Sequence, residues 1–157
     1  MYCPCNSQLP FSQCCELAHL NHAHVHLPSE LMRSRFSAYA VKNYSFIHDT
    51  LIESKRNKNE LSEIKSFADS VKFIALTIID THNEQKNDDK GYVTFQAWYQ
   101  TPDNTFHWIK EKSEFVKQAS LWYYVTGEVE TNSMPIKLNR NDLCLCQSGK
   151  KYKKCCL

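Results

Sequence analysis

The sequence predicts an α+β protein with a small cysteine module at each end. Helical periodicity fills residues 28–70, and strand-like alternation fills residues 71–127, which is the α+β order. Eight cysteines stand outside that body in two copies of one spacing, CxCx8CC. The first copy is Cys3, Cys5, Cys14 and Cys15, and the second is Cys144, Cys146, Cys155 and Cys156. The 128 residues between Cys15 and Cys144 contain no cysteine.

Residues 1–27 hold the first module and a connector, ELAHLNHAHVHLP, that begins at Glu16 and runs to Pro28. The connector carries His19, His22, His24 and His26. Their spacing suits an extended segment projecting the last three to one side. Adventitious or absent metal binding is the expectation, since both modules already offer four thiols.

Pro28-Ser29-Glu30 opens a helix, with Ser29 as the expected N-cap and Glu30 favourable for the helix dipole. Leu31, Met32, Phe36, Tyr39 and Ala40 share one helical face. Tyr44, Ile47 and Leu51 extend the stripe past a break at Asn43. ESKRNKNE (53–60) is a charged loop or helix start, and Leu61, Ile64, Phe67 and Ala68 predict a short second helix.

From Val71 the period changes. VKFIALTIID (71–80) is β-branched and apolar on both faces, so it predicts a well-buried strand. A polar turn (81–91) leads to GYVTFQAWYQ (91–100), with Val93, Phe95, Ala97 and Tyr99 on one side. Thr101-Pro102-Asp103-Asn104 is a tight turn, TFHWIKEKSEFVK (105–117) a long alternating strand, and Gln118-Ala119-Ser120 turns into LWYYVTG (121–127). Short turns make this an antiparallel meander. The body is assigned to residues 28–130, and residues 131–157 are a linker and the second module.

Each module gathers four thiols within thirteen residues, enough for one tetrahedral zinc. A disulfide framework is the competing reading. It is disfavoured because the N-terminus lacks the basic and apolar regions of a secretory signal, which predicts a cytoplasmic, reducing setting. No apolar run approaches the roughly 20 residues that a membrane helix needs, so no membrane insertion is expected. Four thiolates also suit iron, but the small loops favour mononuclear zinc, two per chain.

Net charge is unevenly spread. Lys137, Arg140, Lys150, Lys151, Lys153 and Lys154 stand against Asp142 alone in the last 21 residues, a net of +5. A thiolate-bound zinc contributes about −2, which leaves the tail at roughly +3. That suits an acidic protein surface. It is weak for nucleic acid, because the middle carries no basic stripe.

Within the body, catalytic candidates are thin and none is assigned. His48 and Asp49 are sequence neighbours, so on a helix they point about 100° apart rather than forming a dyad. His107 alternates away from Phe106 and Trp108 and reads as a surface or satisfied strand histidine. Arg33, Arg35 and Tyr39 on the first long helix are candidates for a polar cavity.

RNDLCLCQSGKKYKKCC (140–156) resembles the SEC-C motif found at the C-terminus of the preprotein-translocase motor SecA. Cys144, Cys146, Ser148, Gly149, Cys155 and Cys156 match it, while Leu145 and Gln147 replace the usual Pro and Gly. CPCNSQLPFSQCC (3–15) is a divergent copy that keeps Pro4 and Ser7 but has no glycine and no lysine. With LMRSRFSAYAVKN (31–43) and SEFVKQASLWYYVTG (113–127), the whole layout is similar to the YchJ family of bacterial proteins. That resemblance implies a nuclear transport factor 2-like middle, a curved antiparallel sheet closed into a cone by helices, and one zinc per SEC-C knuckle. By analogy with the SecA tail, it implies protein contacts, with a chaperone or the ribosome as partner through Lys150, Lys151, Lys153 and Lys154. The expectation is a non-enzymatic adaptor; the alternative is a ligand binder or enzyme using the cone.

Overall fold

A computed structural model describes residues 1–85 and 87–157. Lys86, inside the expected polar turn, lies outside the described residues. The order is four helices, α1 (Cys15–Leu20), α2 (Pro28–Val41), α3 (Tyr44–Asp49) and α4 (Glu60–Ser70), then four strands. The strands are β1 (Lys72–His82), β2 (Lys90–Gln100), β3 (Phe106–Gln118) and β4 (Leu121–Thr131), in the spatial order β1-β2-β3-β4, all antiparallel. The α+β reading and the meander both hold.

α2 starts two residues earlier than the sequence suggested. Pro28 occupies the first helical position, where its missing N–H costs nothing, and Leu27 precedes it. Ser29 is therefore inside the helix rather than its cap, and its N–H donates to Glu84 Oε1 at 2.5 Å. The end is satisfied by Glu30, whose Oε2 accepts from the His26 and Leu27 N–H groups at 2.7 and 3.2 Å. α2 stops at Lys42, which takes the left-handed conformation (φ 62°), and Asn43 caps α3 by accepting from Phe46 N–H.

α2 is not a one-faced surface helix. Leu31, Met32 and Phe36 are buried as expected, but so are Ser34, Arg35, Ser37 and Ala38. The sheet covers one side of α2, and α1 with the N-terminal module covers the other. The main core lies between α2 and the sheet, where Leu31, Phe36, Phe46 and Ile47 meet Leu76, Val93, Phe95, Phe115 and Trp122.

β1 corrects the expectation of a strand buried on both faces. It is an edge strand: Ala75 and Leu76 are buried, but Thr77 and Ile79 are exposed. Its apolar run reflects partial cover at its start, where Phe73 faces the helices and Ile74 packs on the other side. Bulges interrupt β1 between Phe73 and Ala75 and between Ile78 and Asp80, and β3–β4 between Glu114 and Phe115. Such bulges bend and twist a sheet.

β4 runs to Thr131, and the segment after it is anchored. Ile136 exchanges both backbone hydrogen bonds with Phe106, at 2.8 and 2.9 Å. That pairing leads the chain onto the sheet face away from the helices. There Phe106, Cys144 and Tyr152 form a second core, flanked by Ile74, Trp98, Ile136 and Leu138.

Candidate metal centres and the helix-covered interior

The two cysteine modules fold alike. In each, the first cysteine's N–H reaches a carbonyl six residues on: Cys3 to Leu9 at 2.8 Å and Cys144 to Lys150 at 2.9 Å. A short 3₁₀ turn follows, Phe11–Gln13 in one and Tyr152–Lys154 in the other. The turn after the CxC pair needs two left-handed residues. These are Asn6 (φ 63°) and Gln8 (φ 66°) in the first module, and Gln147 (φ 63°) and Gly149 (φ 72°) in the second. The N-terminal copy lost the glycine but kept the backbone, with a side chain at Gln8 held where glycine is usual. Ser7 and Ser148 each stand 3.2 Å from the next sulfur, Cys14 and Cys155.

Each set of four sulfurs lies within 4.8 Å of one another. Tetrahedral thiolate-bound zinc with bonds of about 2.3 Å sets its sulfurs about 3.8 Å apart. Cys5–Cys14 and Cys14–Cys15 are 3.7 and 3.9 Å apart; Cys146–Cys155 and Cys155–Cys156 are 3.2 and 3.8 Å apart. Both adjacent cysteines of each pair face the cluster. The donor set therefore fits a metal with no added ligand.

Thiols this close share protons. Hydrogen bonds with Cys15 and Cys5 hold Cys3 far below the usual thiol range, and those with Cys3 and Cys5 hold Cys15 far above it. Burial pushes Cys14 up to about 11. In the second module burial raises Cys144 and Cys156. Burial also acts to raise Cys146, but Ser148, Cys155 and Cys144 outweigh it and bring that thiol to about 7. A divalent cation held by these four sulfurs would replace the shared protons and let all four ionise.

Their settings differ. Cys3, Cys5 and Cys15 are buried, and the first module is fastened to α2: Cys3 Sγ lies 3.4 Å from Ser37 Oγ, and Arg33 donates to Cys5 O at 2.9 Å. In the second module only Cys144 is buried. Tyr152 anchors it, packing edge-on to Phe106 and accepting from Gln100 Nε2 at 3.0 Å. Lys150, Lys151, Lys153 and Lys154 all point to solvent, beside exposed Leu143 and Leu157.

The modules also touch. Asn6 accepts from Leu76 N–H of β1 at 3.0 Å and donates to Cys146 O at 3.3 Å. Gln147, its counterpart, donates to Thr77 Oγ1 at 2.9 Å. The two chain ends thus meet at the β1 edge, which no reading of separate modules could show.

The histidine run does not form an extended ligand strip. His22–His24 is a 3₁₀ turn. His22 donates to Trp122 O at 2.7 Å, and His19 pairs with Ser34 O at 2.8 Å. His24 and His26 are exposed.

The three cavity candidates separate. Arg33 serves the first module, and only Arg35 and Tyr39 face the interior. Arg35 is 7% exposed; its Nη1 donates to Ile47 O and Thr50 Oγ1, each at 2.7 Å, and its guanidinium lies 4.7 Å from the Tyr124 ring centre. Tyr124 donates to Glu111 Oε1 at 2.6 Å. His48 pairs with Glu60, not Asp49: Nδ1 and Oε2 are 3.3 Å apart. His107 stacks on Tyr99 with ring centres 5.3 Å apart. Sequence reasoning missed Glu60 and Glu111, which sit in a charged stretch and an alternating strand.

The comparisons with known proteins agree with this geometry. Residues 27–127 match the family described as YchJ, middle NTF2-like domain, and residues 140–157 match the SEC-C motif. The chain belongs to the YchJ family. A UPF0225 protein of Vibrio cholerae serotype O1 is 40% identical over 156 residues, 99% of each chain. Another UPF0225 protein, from Vibrio parahaemolyticus, is 36% identical over 165 residues, 98% of this chain and 97% of its own. Among solved structures, a SEC-C motif containing protein from Rhodopseudomonas palustris superposes with TM-score 0.71 at 28% identity, covering 82% of this chain and 98% of that one. One from Psychrobacter arcticus gives 0.63 at 22% identity, over 99% and 95%, and supports the fold alone. No helix among the described residues is long and apolar enough to cross a membrane.

Proposed function

We propose that this YchJ protein is a cytoplasmic, non-enzymatic adaptor that holds two zinc ions and presents one of its knuckles to an acidic protein partner. The observation that carries the reading is the contrast between the two centres. Both have a complete four-sulfur set, but only the second shows a lysine-rich, solvent-facing surface. The first zinc fixes the N-terminus to α2. The second shapes the turn that displays Lys150, Lys151, Lys153 and Lys154, with Leu143 and Leu157 as apolar neighbours. Such a surface matches an acidic segment with a few apolar side chains, as in a chaperone or ribosomal protein.

The test is capture from the protein's own cell extract with the zinc-loaded chain and with a variant carrying Lys→Glu at those four positions. The adaptor reading expects specific partners to be lost from the variant, with zinc content unchanged. Recovery of the same partners by both proteins would remove this docking surface.

A further inference from the structure

The two cysteine clusters carry the same groups but differ in access. Each gathers four sulfurs within 4.8 Å, and in each a serine hydroxyl stands 3.2 Å from the third sulfur, Cys14 or Cys155. In the first cluster Cys3, Cys5 and Cys15 are 5%, 0% and 3% exposed, and only Cys14 reaches the surface. α2 lies against that cluster, with Ser37 beside Cys3 Sγ and Arg33 holding Cys5 O. In the second cluster Cys155 is exposed, Cys146 and Cys156 are half-buried, and only Cys144 is covered. That knuckle rests on the sheet through Tyr152 and turns its other side to solvent.

Access decides which thiolates meet a solute. A thiolate is a nucleophile toward peroxides, and exposed thiolates with positive neighbours react first. Lys150, Lys151, Lys153 and Lys154 give the second cluster that setting, whereas residues 1–15 contain no lysine. Within the second cluster the distances choose the pair. Cys146 Sγ and Cys155 Sγ are 3.2 Å apart, and Cys155 Sγ and Cys156 Sγ are 3.8 Å apart. Cys155 and Cys156 are also a poor pair because they are sequence neighbours. Cα atoms joined by a trans peptide stand about 3.8 Å apart, short of the roughly 4.4–6.8 Å that a disulfide spans. All four lysines lie in the loop between Cys146 and Cys155.

We propose that Cys146 and Cys155 form a reversible oxidation site for peroxides, and that its oxidation unloads the second metal centre while the first stays intact. The Cys155 thiolate attacks one oxygen of hydrogen peroxide. The O–O bond breaks, hydroxide leaves and a sulfenic acid forms. The Cys146 thiolate then attacks the Cys155 sulfur, forming the disulfide and expelling a second hydroxide. The two sulfurs give up two electrons, the peroxide takes them, and two protons from solvent turn both hydroxides into water. Only Cys144 and Cys156 remain as ligands, too few for a closed tetrahedral site. A dithiol reductant reverses the step. On the adaptor reading, on which this one consequence rests, the lysine loop loses its metal-shaped turn and the partner is released.

Treating the zinc-loaded full chain, freed of reductant, with hydrogen peroxide tests the site. Released zinc is followed with a chromogenic chelator against an untreated control. Bridges are mapped by peptide mass spectrometry after the free thiols are blocked, a reading taken on the thiols themselves whatever the metal content. The expected result is release of one zinc of the two, a single bridge between Cys146 and Cys155, and unmodified Cys3, Cys5, Cys14 and Cys15. Oxidation of the second cluster should run roughly tenfold or more ahead of the first, because buried thiolates react only when the fold opens locally. Dithiothreitol with added zinc should restore the starting state. Equal oxidation of both clusters, a bridge that leaves out Cys146 or Cys155, or irreversible oxidation of Cys155 without a bridge would overturn the site. None of these readings needs a partner, so the site and the adaptor reading fail separately.

Discussion

His22 lends its ring to the core rather than to a metal. Its Nε2–H satisfies the Trp122 carbonyl, and the ring packs edge-on against Tyr123 and Phe46. Burial depresses its pKa below the ordinary value, and likewise that of His19. Below the unfolded value of about 6.5 the unfolded chain binds protons that the native rings resist, so stability falls as the pH drops through that point. His22→Gln keeps a donor but cannot titrate. Its urea midpoint is predicted to fall less than that of the parent between pH 7 and pH 5.5. Parallel pH profiles for the two proteins would show that His22 carries none of this dependence. The cysteines were legible at this scale because one spacing recurs at both ends. Arg35 was legible as a candidate, but its partners were not, since Ile47 and Thr50 come from the end of α3 and Tyr124 from β4, and they meet it only when the sheet closes over α2.

At the scale of elements, β3 and β4 are joined through polar as well as apolar groups on the covered face. Glu111 accepts from Ser113 and Tyr124 there, in the gap left by Gly127. Gly127→Ala would push the carboxylate away from both donors. The expected cost is about 1–3 kcal/mol, read as a lower urea midpoint with an unchanged slope. A midpoint equal to the parent's would mean that Glu111 swings aside freely. The meander itself was readable from alternation: Val93, Phe95 and Ala97 are buried as their period-two spacing demands. The position of β1 was not. A run such as FIALTII looks doubly buried, yet the helices cover Phe73 and Leu76 on one face, while on the other only Ile74 packs under residues 136–152, and Thr77 and Ile79 are exposed. Ser29 misled for a local reason, since Pro28 can itself open the helix while Glu30 supplies the cap from inside.

At the scale of the molecule, the two ends of the chain converge on one edge of the sheet. Asn6 bridges the first knuckle, β1 and the second knuckle, and the knuckles grip opposite sides of the body through Ser37 and Tyr152. The layout of two knuckles around a middle domain could be read from spacing and resemblance. Their contact could not, because it depends on two left-handed turns and on the return of residues 136–152 across the sheet. The roles proposed for both knuckles rest on the cysteine clusters holding metal. The most direct measurement is the metal content per chain of protein purified under reducing conditions without chelator, by native mass spectrometry together with elemental analysis. The prediction is two zinc ions per chain, both released on acidification as the thiolates are protonated. A chain that carries none, and keeps its fold without them, would contradict the account.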